Sequence, residues 1–383
     1  MGELGRVRYA VVGLGNVAQV AVLPAFAHAT ENCELVALVS SDREKLEKLG
    51  SQYDVPYGGS YDDLELVLET ARVQAVYIAL PNALHREAAL RAARMGVHVL
   101  CEKPMAVTEE DCEAMMIGAR DFGVKLMVAY RRHFEETNLR TMERIRAGEI
   151  GEPRLFSSVF SRQARRGDIR TRGDLGGGAL YDMGITCVNA ARYLFRDEPM
   201  EVMAHQICGT DPRSRDVDES TTAILTFPGN RVASFTASQG AAGISELRIV
   251  GTKGDIRIDP AYEYAGTLEE EVTLAGKTRR HTTPASAPFA PELVYFANCI
   301  LHGTEPEPSA AEGLADVRIL AAIVESARTG AKVELPPFAY AIRRPERVPA
   351  DLEARGSQTA HRAPAVAVEV MPRTARAVLR GRP

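Results

Sequence analysis

Val7-Arg8-Tyr9-Ala10-Val11-Val12-Gly13-Leu14-Gly15-Asn16-Val17-Ala18 is the stretch on which the fold turns. Val7–Gly13 is a short β-branched and apolar run, the pattern of a strand buried on both faces. The loop that follows has the form G-x-G-x-x-A and opens a helix expected over Val17–Ala29, with Pro24 inside it as a point of kinking or early break. Gly13 permits the tight turn, Gly15 lets backbone approach a pyrophosphate, and Ala18 lets the helix pack close to the sheet. Free N–H groups from Asn16 and Val17 onward and the positive end of the helix dipole then face an anion. Strand, loop and helix in this order predict a dinucleotide-binding unit.

Working outward, strands are expected at Cys33–Val39, Ala75–Ala79, Val97–Cys101 and Lys125–Ala129. Helices are expected between them at Arg43–Tyr53, Ala83–Met95 and Thr108–Phe122, the last with Thr108 as N-cap and Asp111 three residues on. Strands spaced by helices make βαβ units, so residues 1–129 read as an N-terminal Rossmann domain, a doubly wound parallel sheet. After Tyr130 the rhythm changes. A helix at Thr137–Ala147 precedes alternating segments at Arg154–Ser161, Glu201–Ile207, Thr221–Phe227, Val232–Ser238, Glu246–Val250, Asp255–Ile258 and Glu271–Leu274, and helices at Pro291–Leu301 and Ala310–Arg328 follow. Residues 130–336 therefore read as an α+β domain with a large, mostly antiparallel open sheet. Residues 337–383 form a Pro/Arg/Ala-rich tail, with nine Arg against four acidic residues from Ala339 onward. A tail draped over the body and a basic docking arm are both compatible with that composition.

A net charge of −5 over 383 residues gives no broad electrostatic reason to bind nucleic acid. The six cysteines form no C-x-x-C pair, so neither a disulfide framework nor a metal site is expected, and a reduced cytoplasmic protein is. No segment carries enough consecutive apolar residues to span a membrane, and the apolar run at the start is too short for a signal sequence.

The exit of the second strand selects the cofactor. NAD enzymes place a carboxylate there for the ribose hydroxyls. Here it reads Ser40-Ser41-Asp42-Arg43 with Lys45 beyond; two hydroxyls and two cations suit a 2′-phosphate, and Asp42 comes late in the turn. NADP is expected in preference to NAD, with NAD possible. The carboxyl ends of later strands carry Leu80-Pro81-Asn82 with His85, then Glu102-Lys103-Pro104, then Tyr130-Arg131-Arg132-His133. A charged Glu-Lys-Pro at a strand end has little packing value, and Lys103 is the candidate to hydrogen-bond a reacting oxygen and move its proton. The charge-dense Arg165–Arg172 stretch before the Gly176-Gly177-Gly178 triplet reads as a substrate-side loop.

These segments, with Gly178-Ala179-Leu180-Tyr181-Asp182-Met183-Gly184, resemble the glucose–fructose oxidoreductase and inositol dehydrogenase family (Gfo/Idh/MocA) over about residues 6–336, and most closely its glucose–fructose oxidoreductase branch. The resemblance implies hydride transfer at a carbinol or carbonyl carbon of a sugar or other small polyhydroxylated substrate. It also implies a homodimer or homotetramer built through the open sheet. Carried over by position, the cofactor residues are Gly13, Gly15, Asn16, Val17, Ser40, Ser41, Arg43, Lys45, Leu80, Pro81, Asn82, His85, Glu102, Lys103 and Arg131. The substrate residues are Lys103, Tyr130, Arg165, Tyr181 and Asp182, and the catalytic residues are Lys103, Asp182 and Thr186.

One position departs from the family. A His or Tyr usually stands four residues after the aspartate, and here that residue is Thr186. A threonine hydroxyl titrates far above neutral pH and is a poor general acid. Lys103 then carries the proton alone, or Tyr181, Tyr130 or His133 substitutes. A trans-dihydrodiol substrate and a catalytically weak NADP-binding regulator are the alternative readings.

Overall fold

The structure is a computed structural model that describes residues 5–165, 167–209, 216–263, 266–284 and 289–338. The tail from residue 339 onward, and with it either reading of a basic arm, lies outside the described residues.

Six strands form the first sheet: β1 (Val7–Val12), β2 (Cys33–Val39), β3 (Tyr57–Gly59), β4 (Ala75–Ile78), β5 (His98–Glu102) and β6 (Leu126–Ala129). Their order is β3-β2-β1-β4-β5-β6 and every neighbouring pair is parallel. The order reverses between β1 and β4, which opens a crevice beyond the strand ends. The strands are nearly all apolar because both faces are covered. Ala10, Val12, Val76, Ile78, Val99 and Val128 face one layer of the core, and Tyr9, Val11, Tyr77, Leu100 and Met127 face the other.

The helices of this half follow local chemistry. In α2 (Arg43–Gln52) the Asp42 side chain accepts from the Lys45 amide at 3.1 Å, and in α5 (Glu109–Asp121) Thr108 accepts from the Asp111 amide at 3.1 Å. Each such cap contributes about 1 kcal/mol. The helix expected over Val17–Ala29 is instead a π-helical turn, Ala18–Val22, leading into a single helical turn, α1 (Leu23–Phe26). Pro24 has no N–H to donate backward, and the wider turn before it accommodates that loss. Two further helices, α3 (Leu64–Thr70) and α4 (His85–Arg94), follow in this stretch, and the helix Phe289–His302 from the far end of the chain covers the face that carries Tyr9 and Tyr77.

After α6 (Glu136–Arg146) come β7 (Pro153–Ser161), a second π-helical turn Leu180–Gly184, α7 (Ile185–Phe195), β8 (Glu201–Cys208), β9 (Asp218–Phe227), β10 (Arg231–Ser238), β11 (Ile244–Gly251), β12 (Gly254–Ile258), β13 (Thr267–Leu274), β14 (Lys277–Pro284), α8 (Phe289–His302), α9 (Ala310–Thr329) and β15 (Val333–Glu334). These nine strands form one sheet, in the order β14-β13-β12-β11-β7-β10-β9-β8-β15. β7 and β10 run parallel and the other neighbours are antiparallel. One face packs on α7 and α9, while Leu155, Met203, Ile224 and Ile244 stand exposed among the outward-facing residues. Arg192 of α7 is buried and pairs with Glu198 at 2.6 Å, and with Glu312 at 2.9 Å and Asp316 at 2.6 Å on α9. Removing one partner of so buried a network typically costs about 3–5 kcal/mol. The network locks α7 and the π-helical turn before it in place.

Candidate active site

The glycine loop at the crest of the first sheet has two glycines with different tasks. Gly13 sits at φ +98° and its amide donates to the Val39 carbonyl at 2.9 Å; a Cβ there would stand 2.5 Å from the Ala79 carbonyl oxygen. The fold itself requires Gly13. Gly15 has ordinary backbone, and a Cβ there would meet nothing nearer than the same carbonyl oxygen at 4.0 Å. Packing does not demand that glycine. What its missing side chain leaves is open space at the mouth of the helix, with Asn16 and Val17 beside it, which is the room a pyrophosphate needs. The residues present therefore fit a dinucleotide.

At the exit of β2, Ser40 is buried and its hydroxyl accepts from the Asp42 amide at 3.1 Å. Asp42 is spent as the cap of α2 and pairs with Lys45 at 3.0 Å; the Lys45 amide and ammonium hold its carboxyl below the usual range. Ser41, Arg43 and Lys45 are exposed there, Arg43 pairing with Glu47 at 2.9 Å.

Leu80 and Pro81 continue the crest beside Gly13. Asn82 donates to the Gly176 carbonyl at 2.7 Å and so ties this half to the glycine triplet of the second. His85, expected at the cofactor, is fully buried, with its ring nitrogens each 2.9 Å from a carbonyl oxygen, Leu80 on one side and Pro104 on the other. The ring fills the space between the two crest loops, and as a neutral imidazole it donates to one of those carbonyls. Burial lowers its pKa. Glu102 accepts from the Tyr77 hydroxyl at 2.8 Å and the Lys103 amide at 3.2 Å. The Lys103–Pro104 peptide is cis.

Lys103 reaches across to the second half. Its Nζ donates to the main-chain carbonyl of Asp182 at 2.7 Å and lies 3.9 Å from Asp182 Oδ1. Asp182 belongs to the π-helical turn Leu180–Gly184. Arg170 Nε approaches its Oδ1 at 3.0 Å, and Arg162 donates to Oδ2. Burial alone would raise the Asp182 pKa, but Arg170, Arg162 and Lys103 together hold it well below the usual carboxylate range. Burial pushes the Lys103 ammonium down, Asp182 and Glu102 oppose that, and Arg162 and Arg170 add to it.

Beneath the turn, Asp218 accepts from the Leu180 amide at 2.8 Å and the Thr221 hydroxyl at 2.6 Å, and burial pushes it up to about 6. Arg162 and Asp218 were not among the expected site residues, and Arg170 was only one of several arginines in a charged loop. Nothing in their local sequence marks them, because their role comes from contacts across the fold.

The remaining candidates fall into place unevenly. Thr186 follows Asp182 by one helical turn, half-buried at the start of α7. Tyr181 spends its hydroxyl proton on the Val107 carbonyl at 3.1 Å, and burial pushes its pKa up to about 12. Tyr130 is buried in the core beside Asp316, with its pKa raised by that burial. His133 lies 3.1 Å from Asn189 Oδ1 and packs on Tyr193 with ring centroids 4.3 Å apart. Arg131 bonds the Tyr262 carbonyl and lies over the Phe289 ring, and Arg165 is exposed on its loop. Neither tyrosine nor His133 is therefore placed as Lys103 is, with N–H groups to spare beside Asp182.

The family model described as an oxidoreductase family with an NAD-binding Rossmann fold matches residues 7–130, and that of the GFO/IDH/MocA C-terminal domain matches residues 139–257. The chain belongs to the Gfo/Idh/MocA family. It is accordingly an oxidoreductase of the NAD(P)-binding Rossmann type. Among its relatives is the D-xylose 1-dehydrogenase [NADP(+)] of Haloarcula marismortui, 32% identical over 86% of this chain and 93% of that one. The aldose–aldose oxidoreductase of Caulobacter crescentus, solved with glycerol, superposes with a TM-score of 0.82 at 36% identity, over 86% of this chain and all of that one. A 3-ketoreductase from Actinomadura kijaniata, solved with NADP and TDP-benzene, gives 0.77 at 26% identity, covering 84% and 98%. Among Gfo/Idh/MocA members the present chain places Thr186 where the resemblance led one to expect His or Tyr.

Proposed function

We propose that this Gfo/Idh/MocA protein is an NADP-preferring dehydrogenase or reductase of a sugar or similar polyol, in which Lys103 alone carries the proton. The observation that carries this reading is the Lys103 ammonium at the crest. One of its N–H bonds is spent on the Asp182 carbonyl, leaving two for a substrate oxygen. A bound nicotinamide supplies hydride exchange at its C4. Gly15, Asn16 and Val17 would hold the pyrophosphate, Ser41, Arg43 and Lys45 the 2′-phosphate, and Leu80, Pro81 and Glu102 would flank the nicotinamide end. Lys103 would orient the hydroxyl or carbonyl oxygen, stabilise developing negative charge on it and pass its proton. Thr186 would position a substrate hydroxyl. The relatives named above, a D-xylose dehydrogenase and an aldose–aldose oxidoreductase, support an aldose as substrate.

The exposed apolar residues on the outer face of the nine-stranded sheet support a homodimer or homotetramer through that face. No helix among the described residues is long and apolar enough to cross a membrane. The unpaired cysteines suit a cytoplasmic setting.

The reading is tested by titrating NADPH and NADH and following nicotinamide fluorescence, which the chain, having no Trp, leaves uncluttered. A panel of aldoses, sugar acids and trans-dihydrodiols is then assayed for oxidation. Tighter NADPH than NADH binding and turnover of an aldose are expected. Binding without turnover on the whole panel would favour a regulatory role instead.

A further inference from the structure

Asp182 carries one negative charge and is met by three cations, yet the nearest approach of its carboxylate to Lys103 is 3.9 Å. Both carboxylate oxygens are already taken. Oδ1 has Arg170 Nε at 3.0 Å and Oδ2 has Arg162. What reaches Lys103 is the main-chain carbonyl of the same residue, at 2.7 Å.

Both arginines are built into place. Arg162 is the first residue past β7, and its amide donates to the Ser238 carbonyl at 3.0 Å. Arg170 lies in a 3₁₀ turn, Ile169–Thr171, where Asp168 accepts from its amide at 3.0 Å and from Nη1 at 3.2 Å. Its carbonyl accepts from the Gly178 amide at 2.8 Å, which ties the turn to the glycine triplet next to Asp182.

We infer that Arg162 and Arg170 are positioning residues, which hold the Asp182 carboxylate off Lys103 so that the ammonium keeps two N–H bonds for the reacting oxygen. Without them the carboxylate would turn toward the nearest remaining cation. Lys103 would then be closed into a contact ion pair, withdrawn from the substrate and made a weaker proton donor. This arrangement matters more here than in a site with a His or Tyr beside the aspartate, because Thr186 cannot take over the proton. The inference rests on the reading of Lys103 as the proton carrier.

The groups that bear on Lys103 are Glu102 of β5, Asp182 of the π-helical turn, Cys187 of α7, Arg162 and Arg170. Removing either arginine takes a repelling cation away and frees an attracting anion. Both effects move the Lys103 pKa upward, so the sign is unambiguous.

The test needs no substrate. Trace acetylation of the full-length protein between pH 7 and 11, read at Lys103 by mass spectrometry, gives the midpoint of that amine, with exposed Lys48 as internal control. In Arg162→Gln plus Arg170→Gln the Lys103 midpoint is expected to rise by roughly 1–2 units, with less in each single variant, while Lys48 and NADPH affinity do not change. Arg170→Lys, which keeps a cation there, should show a smaller rise than Arg170→Gln. Should the double variant fail to fold, Asp182→Asn serves as the reverse probe and must lower the midpoint. An unchanged or lowered midpoint on losing the arginines overturns the inference. So does an unmoved midpoint paired with a KM raised only for acidic sugars, which would make the arginines substrate contacts. An inactive wild type with the expected labelling shift would count against the proposed reaction, not against the positioning role of the two arginines.

Discussion

Asp218 illustrates how single residues set the behaviour of this site. Its carboxyl is buried beneath the turn that carries Asp182, bonded to the Leu180 amide and the Thr221 hydroxyl, and raised from 3.8 to about 6. A carboxyl whose folded pKa lies above its unfolded value contributes stability that is present below about pH 4 and is lost as pH rises to about 6. Asp218→Asn keeps an acceptor for both donors and removes that loss. Its melting temperature relative to wild type should therefore climb between pH 4 and pH 7, by roughly 2–4 °C, in calorimetry at matched ionic strength. A flat difference across that range would show that Asp218 is ionised throughout. Residue by residue, the site was partly legible. Lys103 stands out in sequence because a charged side chain at a strand end has little packing use, whereas Asp182 was marked by the family resemblance. His85 looked like a ligand because its segment follows the carboxyl end of a strand and matches the family, yet its ring is buried between two loop carbonyls. Arg162 could not be picked out, since its partner is 20 residues away and the approach depends on where β7 ends.

Among elements, the glycine triplet does the most to hold the two arginine-bearing segments near the turn. A Cβ on Gly177 would stand 2.4 Å from the Arg170 carbonyl oxygen and 2.8 Å from that of Arg172, both backbone atoms that cannot simply rotate away. Gly177→Ala should push the 3₁₀ turn outward, cost roughly 1–3 kcal/mol of stability and raise the Lys103 labelling midpoint as Arg170→Gln does. Retention of both the wild-type melting temperature and midpoint would show that the turn is more yielding than its contacts suggest. The elements that sequence reveals are those with a local signature, such as the capped α2 and α5 and the uniformly apolar β1. The ones it hides lack such a signature. β3 contains two adjacent glycines, and β14 is a polar edge strand reading Lys277-Thr278-Arg279-Arg280-His281-Thr282-Thr283-Pro284. α7 is buried on nearly every side, so it has no amphipathic stripe to betray a helical period.

At the scale of the whole molecule, the two halves meet at several contacts, and one of them joins Lys103, just past the end of β5, to Asp182 in the π-helical turn before α7. The outer face of the second sheet carries Met203 directly opposite Ile224, both about half exposed, with Leu155 on β7 and Ile244 on β11 further across the sheet. If that face joins copies of the chain, Met203→Lys with Ile224→Lys should reduce the mass seen by light scattering to that of a monomer while leaving the circular dichroism unchanged. A monomeric wild type would end that proposal. The central claim is that the contact between Lys103 and Asp182 is where the proton moves, and it is tested most directly by turnover of Lys103→Met on the best aldose found. Loss of kcat by about 10²–10⁴-fold, with the NADPH dissociation constant within twofold of wild type, is the predicted result; a kcat close to wild type would contradict the account.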